Sequence, residues 1–264
     1  MRRALWLLAA LLPLGAQPKL LVNAQVKQQS AAAGLDGVFR GLLSAQPQPA
    51  WIGYSIPAVR NAGLGCEYVR DNPAVAGVVH LEPPDHAVIL FRVEAGAVNR
   101  IRALSPDCEI DAGGLPVHWL NDVRPEESVA LLASFTSDRE RAGESLGAIA
   151  RHSGAAADQA LDRVATSGQP EDSRLRAVSL EGSTRGRHGL EVLKQLIASD
   201  PDERVRQRAV SSLASSREPE ATPLLISIAR SDKSPGLRKQ AMSALGRSRD
   251  PRATAFFEEV LKHD

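Results

Sequence analysis

The chain has 264 residues, which is enough for one elongated unit or two modest domains. Its 32 basic and 31 acidic side chains leave a formal charge of +1, whereas a nucleic-acid-binding domain is expected to carry a basic excess or stripe. The composition therefore disfavours nucleic acid as a partner.

The first residues have the layout of a secretory signal peptide. Arg2 and Arg3 precede an apolar run from Leu5 to Leu14, and small residues follow at Gly15 and Ala16. This run is too short to anchor a protein in a bilayer, and no other apolar run approaches membrane length. We expect residues 1–16 to be a signal peptide, with an alternative cleavage site after Ala24. The mature chain is then periplasmic or extracellular and has no membrane span.

Residues 17–122 are predicted to form an α+β unit. Residues 19–30 alternate loosely and predict an edge strand, and Leu35 to Leu43 has the spacing of a short helix. From Ala50 the apolar period changes to two, which predicts strands at 52–56 and 78–81, a hairpin at 87–104 and a strand at 107–111. Gly113, Gly114 and Pro116 are interpreted as the end of the sheet region. We interpret residues 48–120 as a small antiparallel sheet.

Two cysteines are present, Cys66 and Cys108. In an oxidising compartment, a single pair is most simply one disulfide, which would contribute ~3–4 kcal/mol by closing a long loop. The alternatives are two buried thiols or a redox pair, and no Cys-x-x-Cys spacing supports the latter.

From residue 123 the apolar pattern repeats every 32 residues, as Leu161, Leu193, Leu225 and Phe257 illustrate. Each unit carries two apolar stripes at i, i+3, i+4 spacing, which predicts two amphipathic helices. One unit cannot bury both stripes alone, so neighbours must stack into an α-α solenoid. The predicted solenoid spans 123–264, with a half repeat at 123–136 and full repeats at about 137–168, 169–200, 201–232 and 233–264.

The turns between repeats carry helix-start signals. Asp200-Pro201 before Glu203 and Ser234-Pro235 each predict an N-cap followed by proline at the first helical position.

Two segments resemble HEAT-type repeats in the short bacterial form related to the phycobilin-lyase-like class: VRQRAVSSL, from Val205 to Leu213, and LRKQAMSAL, from Leu237 to Leu245. The resemblance covers about residues 125–264 and implies an armadillo-like superhelix. Ser145 and Glu181 depart from it, since they replace a small alanine and an aliphatic residue. The N-terminal portion resembles the front half of secreted bacterial HEAT-repeat proteins, which implies no known activity.

Charged residues also recur with the repeat, namely Arg174, Arg206 and Arg238, and Asp200 and Asp232. One interpretation is an arginine ladder offered to an acidic or phosphate-bearing partner. The other is that each arginine pairs with the aspartate of the preceding inter-repeat turn and stiffens the stack. The near-neutral charge favours the second interpretation.

Three patterns resemble catalytic or metal sites but lack the required context. Residues 143–147 match G-x-S-x-G, yet Ser145 falls inside a predicted helix, where a nucleophile elbow cannot form. Asp107, Glu109 and Asp111 open like a calcium loop, but Ala112 and His118 stand where glycine and glutamate are required. Three histidines, His80, His86 and His118, have no compact zinc-ligand spacing. We therefore predict no catalytic residue, metal or cofactor.

The favoured function is that of a secreted or periplasmic, non-enzymatic scaffold, which binds a protein partner of the cell envelope in the groove of its repeats. One alternative is a hydrolase or metal-dependent enzyme with its site in the β unit around His118, Asp107 and Asp111. Another is a lyase-like activity, which is implied by the resemblance alone.

Overall fold

The computed structural model describes residues 21–45, 48–60, 66, 84–167 and 170–263. The predicted signal peptide at 1–16 and the predicted strand at 78–81 lie outside these residues. Within the described ranges, no helix combines the length and the apolarity that a membrane crossing needs.

The described part of the N-terminal region contains seven strands: β1 Leu21–Val22, β2 Gln25–Ser30, β3 Ala50–Pro57, β4 His86–Glu94, β5 Ala97–Leu104, β6 Ile110–Asp111 and β7 Pro116–Asn121. Five of them form one sheet in the order β2-β7-β3-β4-β5, and β1 pairs with β6. The predicted hairpin at 87–104 is present as the antiparallel pair β4–β5, and β2 is an edge strand as predicted.

The sheet is mixed rather than antiparallel throughout, because β7 runs parallel to both β2 and β3. The sequence prediction missed β7, since Gly113, Gly114 and Pro116 looked like a terminator. Pro116 is instead the first residue of the strand, a position where proline is tolerated. Trp119 packs on one face with Val88 and Leu90, and Leu120 belongs to the main core on the other face.

The predicted strand at 107–111 is also shorter than expected. Only Ile110–Asp111 pairs as a strand, while the preceding residues form a turn in which the Cys108 amide donates to the Ser105 carbonyl at 3.2 Å. The Ser105 hydroxyl lies 3.2 Å from an Asp107 carboxylate oxygen in the same turn.

The described residues contain ten helices: α1 Leu35–Ala45, α2 Pro125–Ala133, α3 Ala142–Ile149, α4 Ala155–Thr166, α5 Glu171–Thr184, α6 Gly186–Ser199, α7 Glu203–Leu213, α8 Ala221–Ser231, α9 Pro235–Gly246 and α10 Pro251–His263. Helix α2 precedes four helix pairs that follow the 32-residue period. The predicted fold class, an α+β chain with a C-terminal α-α solenoid, is confirmed.

The capping prediction is right for one turn and wrong for another. Ser234 caps α9, with its hydroxyl accepting from the Leu237 amide at 3.3 Å and Pro235 at the first helical position. Asp200 does not cap α7, because that helix begins at Glu203 and is capped by Asp202. Asp200 instead ends α6 and accepts a hydrogen bond from the Asp202 amide at 2.9 Å. The N-cap of α7 therefore lies at Asp202, two residues after the predicted position.

The sheet and the solenoid share one continuous hydrophobic core, which includes Phe39, Phe91, Leu161 and Leu225. Phe91 of β4 stacks edge-on against Phe39 of α1, with ring centroids 4.9 Å apart. At the edge of the sheet, a Glu144 carboxylate oxygen on α3 accepts from the Ile101 amide at 2.8 Å. The sheet is therefore packed directly onto the first helices of the solenoid.

A buried chain of polar groups crosses the same junction. The Tyr54 hydroxyl lies 2.8 Å from Ser128 Oγ, which lies 2.8 Å from His152 Nε2. His152 Nδ1 is 3.0 Å from the Ala148 carbonyl oxygen. Since a carbonyl only accepts, Nδ1 carries the proton, and Nε2 accepts from Ser128. Burial lowers the pKa of His152 to about 4, which keeps this neutral tautomer.

Candidate functional site

The charged residues that recur with the repeat lie at the turns between repeats. Arg206 donates to the Asp200 carbonyl oxygen at 2.6 Å, and Arg238 donates to the Asp232 carbonyl oxygen at 2.7 Å. Both arginines therefore bind the aspartate of the preceding turn, but through its backbone rather than its carboxylate. The carboxylates hold the turns themselves, since Asp200 and Asp232 each accept from the backbone amide two residues ahead.

Arg174 has the carboxylate contact that the other two arginines lack. Its guanidinium lies 2.6 Å from an Asp200 carboxylate oxygen, and its Nε donates to the Ala165 carbonyl at 3.2 Å. Asp200 follows Arg174 by 26 residues, so the pair joins α5 to the end of α6 rather than to the preceding turn. Both side chains of this ion pair are largely buried. The three arginines thus brace the repeat turns.

A cleft of about 580 Å³ lies between α6 and α8, the second helices of two successive repeats. The first helices pack closely, α5 on α7 and α7 on α9, whereas α6 and α8 make little contact with each other. The unequal packing leaves the cleft open on the side of the second helices. Its floor is aliphatic and consists of Ile197, Leu224, Ile228 and Leu237.

Basic side chains dominate the rim of this cleft. Lys194, Arg206 and Lys233 line it together with one acidic residue, Asp232. Lys194 also lies 2.8 Å from Glu191 on its own helix, and Lys233 is exposed. The cleft therefore combines an aliphatic floor with a positively charged border, and two of the recurring charged residues, Arg206 and Asp232, belong to it.

The two cysteines are joined in a disulfide, with their Cα atoms 5.4 Å apart. This bond borders a cavity of about 310 Å³ in the β unit, which Trp51, Leu90 and Asp111 also line. Of the three residues in the alternative enzyme hypothesis, only Asp111 lines this cavity; Asp107 and His118 do not. His118 is buried on β7, and burial lowers its pKa. This cavity therefore does not bring the three residues of the enzyme hypothesis together.

The remaining motif residues also occupy structural positions. Ser145 is buried within α3, and its hydroxyl donates to the Leu132 carbonyl at 2.5 Å. Asp111 accepts from the Asn23 side chain and from the Gly113 amide, so its carboxylate shapes a turn. Asp107, Glu109 and Asp111 do not bring their oxygens within reach of a common ion. His86 is exposed and pairs with Asp85 at 2.6 Å, and His80 lies outside the described residues.

A family model for HEAT repeats matches residues 190–264. The match covers α7 to α10 and most of α6, the part of the solenoid that contains the cleft. HEAT repeats serve in general as protein-interaction scaffolds and are usually non-enzymatic. No curated protein sequence shows significant similarity to this chain.

The sequence places the cleft residues Ile197, Leu224 and Ile228 in apolar columns of the repeat, and the structure packs them in or against the core, where they also line the cleft. The apolar pattern of the repeat does not distinguish a fully buried side chain from one that also lines a cleft. One signal was available: the positions equivalent to Ile197 carry Ala165, Ala229 and Leu261, which is a poorly matched column for a shared core.

Proposed function

We propose that this protein is an exported, non-enzymatic scaffold that binds a segment of another protein in the cleft between α6 and α8. The observation that carries the proposal is the aliphatic floor of the cleft: Ile197 and Leu224 pack against the core but are only partly buried, and Ile228 lines the cleft beside them. Apolar surface of this kind, rimmed by polar residues, is typical of protein interaction sites. An amphipathic segment laid into an apolar groove is a common mode of such binding.

The charges at the rim of the cleft favour one kind of segment. Lys194 and Lys233 add positive charge on two sides of the floor, while Arg206 and Asp232 are held by backbone hydrogen bonds of the turns. Complementary charge steers encounter and suppresses wrong partners. The proposed ligand is therefore an aliphatic segment flanked by aspartate or glutamate, within a protein of the cell envelope.

Export is supported by two features of the chain. Residues 1–16 have the basic start, apolar middle and small-residue end of a signal peptide. Cys66 and Cys108 form a disulfide, and such bonds persist in oxidising compartments. The direct check is N-terminal sequencing of protein recovered from the envelope fraction, which we expect to begin after Ala16. A retained Met1 in that fraction would argue against export by this signal.

The binding proposal can be tested with two variants at the same repeat position. Ile197→Glu places a charge on the floor of the cleft, whereas Leu261→Glu alters the equivalent residue of the last repeat, whose surface is 76% exposed. We expect Ile197→Glu to reduce capture of the partner from an envelope extract at least tenfold and Leu261→Glu to leave it unchanged. Circular dichroism must show that both variants are folded. Full capture by folded Ile197→Glu protein would contradict the proposal.

A further inference from the structure

Glu181 on α5 is a carboxylate in a column of the repeat that is otherwise aliphatic, since Ile149, Leu213 and Leu245 take the equivalent positions. The residue has no exposed surface, and neither carboxylate oxygen has a hydrogen-bond partner among the described residues. A buried carboxylate without a donor is costly, so it must be compensated by a proton or a cation.

Two further side chains approach this carboxylate from neighbouring helices. His188, in the first turn of α6, places Nε2 at 3.0 and 3.1 Å from the two carboxylate oxygens of Asp162 on α4. One ligand atom from each of Asp162, Glu181 and His188 can be chosen so that all lie within 4.8 Å of one another. In the described part of the chain, no other group of three such residues meets this criterion.

The backbone allows this approach because Gly189 follows His188. A Cβ atom at Gly189 would lie 2.1 Å from the Glu181 carbonyl oxygen, a distance that no side chain tolerates. Glycine therefore lets the start of α6 close onto the end of α5 at this point. The close contact brings the imidazole of His188 to the buried carboxylate.

The charges around the cluster suit a divalent cation. Arg185 Nε lies 2.6 Å from an Asp158 carboxylate oxygen, and this guanidinium also donates to the His152 carbonyl at 2.9 Å. The charges of Arg185 and Asp158 offset one another. Asp162 supplies one negative charge and Glu181 supplies a second once a bound ion displaces its proton, while the nitrogen ligand of His188 favours transition metals over magnesium or calcium.

We propose that Asp162, Glu181 and His188 form a binding site for a divalent transition-metal ion of the zinc type. Three protein ligands leave one position of a four-coordinate ion open to another ligand. The side chains of Asp162 and His188 are 31% and 42% exposed, so an ion can enter from solvent and reach Glu181 beneath them. The ion would join α4, α5 and α6 and thereby tie the first full repeat to the second.

The protonation state of Glu181 is consistent with such a site. Burial, followed by the nearby Asp162 carboxylate, raises the pKa of Glu181 to about 8. A neutral carboxyl group therefore occupies the position at neutral pH, and a bound ion would displace its proton.

The first test is a calorimetric titration with Zn²⁺ of disulfide-bonded protein from which a chelator has removed any metal. We expect one ion per chain, and we expect His188→Ala to raise the Kd at least tenfold. His86→Ala is the matched control, since His86 is also an exposed histidine paired with an aspartate, Asp85. This control should bind Zn²⁺ as the wild type does.

The second test separates loss of metal from loss of fold. Glu181→Leu installs the residue found at the equivalent positions 213 and 245, so we expect it to fold with a thermal midpoint at or above that of the metal-free wild type. Zn²⁺ should raise the midpoint of the wild type and leave that of Glu181→Leu unchanged. The proposal is overturned if the wild type binds no stoichiometric Zn²⁺, if His188→Ala and Glu181→Leu bind it as tightly as the wild type, or if His86→Ala abolishes binding.

Discussion

Gly182 on α5 lies against the backbone of Ser212 on α7, and a Cβ atom at Gly182 would stand 2.4 Å from the Ser212 carbonyl oxygen. This contact sets how closely the first helices of successive repeats can stack. Gly246 occupies the same repeat position in the last repeat, where nothing lies within 4 Å of an added Cβ.

The first prediction follows from this pair of glycines. Gly182→Ala should lower the free energy of unfolding by about 1–3 kcal/mol, because α5 and α7 must move apart to admit the methyl group. Gly246→Ala should be neutral or stabilise by up to ~1 kcal/mol through helix propensity. Denaturant unfolding of both variants measures the difference. Equal effects would show that α5 and α7 do not pack in this way.

The second prediction concerns the shared core. Leu225 on α8 is 1% exposed, and we expect Leu225→Ala to cost ~2–5 kcal/mol through the cavity that it leaves. The control is Leu261→Ala on α10, an exposed leucine whose loss should cost less than about 0.5 kcal/mol. A loss below about 1 kcal/mol at Leu225 would contradict the repeat register.

The third prediction concerns acid sensitivity at His152. Burial lowers its pKa from 6.5 to about 4, so the unfolded chain binds a proton there more readily than the folded chain does. The contribution of His152 to the free energy of unfolding is thus present above pH 6.5 and is lost as the pH falls towards 4. At about 1.36 kcal/mol per pKa unit, the loss amounts to up to about 3 kcal/mol.

His152→Gln removes this titration, and the variant should lose less stability than the wild type between pH 7 and pH 4.5. Denaturation midpoints measured across this pH range test the prediction. If the midpoints of His152→Gln and of the wild type change equally with pH, His152 is accessible to protonation in the folded state.

The fourth prediction concerns the disulfide between Cys66 and Cys108. Protein from an oxidising compartment should gain no mass from a thiol alkylator after unfolding, and it should gain two adducts once it has been reduced. Intact-mass spectrometry gives both results. Two adducts on the unreduced, unfolded chain would show that the thiols are free.

The sequence predicted the helices of the solenoid well because their signal is local and repeated. Leu161, Leu193 and Leu225 are buried, and Phe257, the fourth member of their column, is partly buried against the same core. The strand β7 was missed because its identity depends on long-range partners, β2 and β3, rather than on its own flanking residues.

The two proposed sites, the cluster around Glu181 and the α6–α8 cleft, also depend on long-range contacts between helices. Glu181 stood out from its column in the sequence, but its neighbours Asp162 and His188 lie on other helices at unremarkable spacing. The α6–α8 cleft depends on how far the second helices of two successive repeats separate. Neither the side-chain cluster nor the cleft can be predicted from the residues next to each other in the sequence.

The proposed function depends on the binding of a segment of another protein in the cleft between α6 and α8. A photo-crosslinking amino acid at Leu224, inside the cleft, tests it directly, with Leu261 as the control position outside the cleft. We expect position 224 to give an adduct in an envelope extract, and peptide mapping to place the crosslink in an aliphatic segment flanked by acidic residues. Adducts of equal yield at both positions, or none at position 224, would show that the cleft does not bind such a segment.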